Sequence, residues 1–154
     1  MARWRYLFAL ALLAGPNAAH ADHIAGLSAD GQLLLTGDSA GRLSIRSIET
    51  GGEVDHVDAA PLRWRGLSGS PDAGQVVALG ADGQDRLRVL VWRRSTKSVR
   101  VFDAPFADGD PSLVVAPVIS PGGETMLLRR SSREPGYLLD TADGRILATI
   151  GKVG

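Results

Sequence analysis

Cysteine is absent from all 154 residues. That excludes a disulfide framework, thiolate ligation of a metal and Cys-x-x-Cys-His haem attachment, and it leaves apolar burial as the main source of stability. Histidine occurs three times, lysine only at Lys97 and Lys152, and the formal net charge is zero. A chain without excess positive charge has no global field for nucleic acid or for an anionic membrane surface. Long apolar runs are just as scarce. The one that stands out, Tyr6 to Gly15, is about half of the roughly 20 residues that cross a bilayer.

That run reads as an export signal. Arg3 and Arg5 precede it, Pro16 and Asn17 break it, and Ala19-His20-Ala21 sets small residues at both positions a signal peptidase needs. Residues 1–21 are therefore expected to be a secretory signal peptide cut after Ala21, directing the chain to the periplasm or the cell exterior. Without cysteine, a lipid-anchored version of bacterial export is excluded. The 133 residues that remain have the length of one domain and carry 15 basic against 17 acidic side chains. They contain no second run of membrane-spanning length, so no stable membrane insertion is expected after cleavage.

Turn residues at regular spacing are what the chain does have, with 19 glycines. Three segments align with one another: LSADGQLLLTGDSAGRLSIRSIETGGEV from Leu27, GSPDAGQVVALGADGQDRLRVLVWRRSTKSVRVF from Gly69, and ISPGGETMLLRRSSREPGYLLDTADGRILATI from Ile119. The serines Ser28, Ser70 and Ser120 mark them at spacings of 42 and 50 residues. Each unit repeats one order: a short apolar strand, a Ser-led turn, an apolar run, a polar turn, an alternating strand, a second polar turn and a last strand. Gly and Asp hold the turns because they accept positive φ or bond their own backbone. Four strands every 40 to 50 residues is the arithmetic of propeller blades. The expected fold is all-β, a partial β-propeller of three four-stranded antiparallel blades at about 24–58, 64–103 and 113–150. A β-sandwich or barrel of about a dozen short strands is the alternative, but it does not explain why one turn order recurs three times.

The order resembles WD40 repeats, whose blades carry an S-P-D-G turn and a W-D-x-x-T-G-K turn. Ser70-Pro71-Asp72 and Ser120-Pro121-Gly122-Gly123 match the first turn, and Ser28-Ala29-Asp30-Gly31 matches it with alanine for proline. Thr50-Gly51 matches the second, and Asp143-Gly144-Arg145 more loosely. The Trp-Asp position is degenerate, at Arg46-Ser47, Trp92-Arg93 and Leu139-Asp140, and no Gly-His dipeptide precedes a unit. A closed propeller needs roughly four to eight blades, and each blade buries its faces only against its neighbours. Three blades are thus expected to leave two exposed apolar faces, and imply a portion of a longer or split propeller, two chains closing a six-bladed ring, or an open array.

Local chemistry is sparse. His23 and His56 stand 33 residues apart, too far for a metal site by spacing. No G-x-S-x-G elbow is present. The glycines Gly37, Gly41, Gly51 and Gly52 fit hairpin turns, not a phosphate loop ahead of a helix. Asp82-Gly83-Gln84-Asp85 and Asp108-Gly109-Asp110 bring carboxylates together but lack the full oxygen set of a calcium loop. Arginine is the one unusual pattern, in Arg63-Trp64-Arg65, Arg86, Arg88, Arg93-Arg94 and Arg129 to Arg133; its planar fork suits carboxylates and phosphates. Trp64 and Trp92 are expected to pack between blades.

The expectation is a non-enzymatic, exported interaction module. The WD40 resemblance implies that binding uses the loops at one end of the array, which selects Asp38, Arg63, Arg65, Asp82, Asp85, Asp108 and Arg133. No catalytic residue, metal or cofactor is assigned. The expected partner is a protein, or a second copy meeting exposed blade edges; nucleic acid is not expected. The alternative is part of an exported propeller enzyme or cofactor carrier whose central site is completed by further blades.

Overall fold

The computed structural model describes residues 24–106, 115–129, 131 and 134–151. The signal segment, Asp108 and Arg133 lie outside the described residues. Twelve strands form three separate four-stranded antiparallel sheets, each a simple meander. The first holds β1 (Ile24–Leu27), β2 (Leu33–Gly37), β3 (Arg42–Ser47) and β4 (Glu53–Asp58). The second holds β5 (Arg63–Gly69), β6 (Gln75–Ala81), β7 (Leu87–Arg93) and β8 (Ser98–Asp103). The third holds β9 (Val115–Ile119), β10 (Thr125–Arg129), β11 (Gly136–Asp140) and β12 (Ile146–Ile150). These are the three blades the repeat predicts.

The marker serines explain why the units repeat. In each, the serine Oγ accepts the N–H of the residue five positions on: Leu33 at 3.0 Å, Gln75 at 3.1 Å and Thr125 at 3.1 Å. The serine carbonyl accepts the N–H three positions on, from Gly31, Ala73 and Gly123. That third residue is left-handed in every blade, with φ of 69° at Gly31, 50° at Ala73 and 82° at Gly123. Glycine takes the conformation at no steric cost. In the first two blades an aspartate completes the staple: Ser28 Oγ donates to Asp30 at 2.5 Å, and Ser70 Oγ to Asp72 at 3.0 Å. Gly122 stands at the matching position of the third blade.

Blades meet through their first strands and through their faces. Strand β1 packs on β5, and β5 on β9. Ser28 and Gly69 form a parallel bridge. Glycine allows the approach: a Cβ on Gly26 would lie 2.5 Å from the Leu67 carbonyl oxygen, and one on Gly66 would lie 2.7 Å from Ala116 Cα. Between the first two blades, Leu35, Leu43 and Ile45 meet Val76, Ala78, Leu90 and Trp92. Between the second and third, Val77, Leu79, Val89 and Val91 meet Met126, Leu128 and Leu139. The middle blade is thus buried on both faces, which is why QVVALGA reads as an apolar run; β7, expected to alternate, instead buries four successive residues from Val89 to Trp92. Trp64 and Trp92 both lie in the first of these cores.

Candidate functional site

Antiparallel meanders send alternate connections to opposite ends of the stack. One end, the loop end, gathers the turn from Asp38 to Gly41, the segment from Ala59 to Leu62, and the turn from Asp82 to Arg86. The sequence-selected residues Asp38, Arg63, Asp82 and Asp85 are therefore brought to one end. Arg65 is close by in β5, exposed at a bulge between Trp64 and Gly66. Ser39, Pro61, Leu62, Arg63 and Asp82 line a cleft there of about 150 Å³.

The carboxylates at this end hold turns. Asp38 Oδ1 accepts the N–H groups of Ala40 and Arg42, both at 2.9 Å. Asp82 Oδ1 does the same with Gln84 at 2.9 Å and Arg86 at 3.1 Å, while its Oδ2 pairs with the Arg86 guanidinium. Desolvation opposes the Asp82 charge, but these N–H groups and Arg86 outweigh it and hold the carboxyl below its ordinary value. Asp85 adopts φ of 60° and pairs with Arg63. Trp64 Nε1 donates to the Asp38 carbonyl at 2.6 Å, tying the first turn to the second blade. Arg65 has no ion-pair partner among the described residues. Among those residues no three His, Asp or Glu side chains gather as metal ligands.

The flanks of the stack differ from each other, which corrects the expectation of two exposed apolar faces: the first blade's outer flank is polar. Register pairs identify the equivalent positions that face the preceding blade: Leu34, Thr36, Ser44 and Arg46 in the first, Val76, Ala78, Leu90 and Trp92 in the second, Met126, Leu128, Tyr137 and Leu139 in the third. Only the first set, which no sheet among the described residues precedes, is largely polar. Beside it, Glu53 pairs with Arg42 at 3.0 Å and His56 Nδ1 at 2.9 Å, and Arg46 lies 3.9 Å away. Desolvation works against the Glu53 charge, and Arg42 and His56 outweigh it, leaving that carboxyl below its usual range.

The opposite flank, on the third blade, is aliphatic. Leu127 stands directly across from Val118 and Leu138, and Leu138 across from Ala148. Gly136 pairs with Ile150. Val118 is 57% exposed and Ile150 46% exposed. Leu127 and Leu138 occupy the positions that Leu35 and Ile45, and Val77 and Val91, fill in the first two blades, where the next blade covers them. A comparison of the aligned repeat units would have found this signal: Thr36, Ser44 and Arg46 replace residues that are apolar in both other blades.

No family model and no curated protein matches the chain. Among the described residues, no helix is long and apolar enough to cross a membrane.

Proposed function

We propose that the chain is an exported, WD40-like blade array that works as a protein-interaction module without chemistry of its own. The observation that carries this reading is the open aliphatic flank of the third blade, whose equivalents in the other blades are buried against a following sheet. Exposed contiguous apolar surface of this kind marks an interaction site. The loop end supports the reading in a second way, since Asp38 and Asp82 are engaged in turn geometry while Arg65 remains as an exposed cation. Export rests on residues 1–21, and the WD40 likeness on the Ser-led turns.

The test has two parts. Secreted protein should begin at Asp22 by mass spectrometry. Immobilised mature protein should retain a protein partner, a second copy included, from the exported fraction, and Ile150→Asp should release it. Equal retention by wild type and variant, or none by either, would end the proposal.

A further inference from the structure

We propose that the flank of the third blade pairs with the same flank of a second copy, face to face about a twofold axis. This rests on the interaction-module reading and names its partner.

The polar flank of the first blade decides against the other way of joining two copies. In a six-bladed ring, Leu127 and Leu138 would lie on Arg46, Glu53 and His56. Burying that ionic group under an aliphatic sheet removes its hydration without supplying new partners. The first blade has instead the polar outer surface of a capping repeat. Among the described sheets the stack therefore has one aliphatic outer face, and a like surface is the cover that fits it.

Its charges are arranged for this. The cross-strand pair Leu127 and Leu138 forms the centre. Arg129 lies two residues beyond Leu127, and Asp140 lies two residues beyond Leu138 on the antiparallel neighbour, so they sit at opposite ends. At a strand rise of ~3.4 Å per residue, each is about 7 Å from the centre. A twofold axis through that centre, lying in the interface plane and running across the strands, brings the cationic end of one copy over the anionic end of the other, twice over. Both side chains are held locally: Arg129 Nε donates to the Ser131 carbonyl at 2.9 Å, and Asp140 Oδ1 accepts the Ala142 N–H at 2.7 Å. A foreign blade continuing the array would fit less well. It would meet Arg129 and Gly136 where the second blade presents Leu79 and Val89 to the third. Two sheets face to face at about 10 Å make a familiar packing. A surface of four five-residue strands is small for an interface, so the dimer should be concentration-dependent, with a Kd on the order of 10 µM.

Native mass of the mature chain, measured by light scattering or sedimentation from about 1 µM to 1 mM, should rise from monomer to dimer and stop there. Ile150→Asp, at an exposed position outside the core, should weaken association at least ~10-fold. Arg129→Asp makes both ends of the flank acidic, and Asp140→Arg makes both basic. Each variant alone should stay monomeric, and an equimolar mixture should form heterodimers. Circular dichroism of each checks that it is folded. A monomer throughout the range overturns the proposal, as does a mixture in which the two charge variants fail to pair. If the wild-type chain stays monomeric yet still retains another protein through Ile150, the self-pairing fails and the broader interaction reading survives.

Discussion

A methyl group added at Gly66 places its carbon 2.7 Å from Ala116 Cα, 2.8 Å from Pro117 Cδ and 2.9 Å from Ala116 Cβ. Two of those atoms belong to backbone or a proline ring, so they cannot swing aside, and β5 and β9 have to separate. Overpacking of this sort costs about 1–3 kcal/mol. Losing a glycine from the unfolded ensemble offsets it by about 0.4–1 kcal/mol. Gly66→Ala should therefore destabilise by about 1–2 kcal/mol net, or roughly 4 °C in Tm per kcal/mol at this chain length. Gly83→Ala is the control, because a Cβ there meets nothing within 4 Å and its φ is ordinary; its effect should stay within about 0.5 kcal/mol. Urea denaturation gives both values. Amide exchange adds location, since protection in β9 and β10 should fall more than in β2 and β3. If Gly66→Ala matches the control, or loosens all three sheets alike, the close contact of first strands between blades is not what holds the stack.

Ser70→Ala should cost about 1–3 kcal/mol, because it removes the acceptor for the Gln75 N–H and the donor to Asp72 at a buried site. Ser120→Ala should cost less, as Gly122 leaves that serine no aspartate; equal losses in denaturation would contradict the staple. Acid should also weaken the fold. The Ser28 hydroxyl lowers the Asp30 carboxyl and the Gly74 N–H lowers that of Asp72. Depressed folded values give stability that is present above the unfolded value of about 3.9 and lost as pH falls through the folded ones. Denaturation midpoints should hold near neutrality and drop below about pH 4, and Asp30→Asn with Asp72→Asn should make that drop shallower; an unchanged drop would assign it to other groups.

The twelve strands were legible because every blade carries the same local instructions. Turn residues sit at fixed offsets from Ser28, Ser70 and Ser120, and hydrogen bonds within five residues of each serine implement them. The double burial of the middle blade was not read: the RLRVLVW segment was expected to alternate, and only the stacking of sheets on both sides buries Val89 to Trp92 in succession. The loop-end grouping of Asp38, Arg63, Asp82 and Asp85 was readable, since it follows from meander topology. Their use was not. A sequence cannot show that Asp38 and Asp82 direct their oxygens to neighbouring N–H groups. Nor could it place Asp55 3.3 Å from Arg94 across the first blade boundary, because nothing local links residues 39 positions apart.

Strand content, turn chemistry and blade count thus belong to the sequence, because short-range hydrogen bonding and side-chain alternation decide them. The polarity of the first flank was also written in the aligned units, at Thr36, Ser44 and Arg46; which sheet face each of these residues shares, and which faces another sheet covers, was decided only by tertiary structure. Leu127 and Leu35 look alike in the chain, and only the stacking of one blade on the next covers Leu35 and leaves the third blade's flank to water.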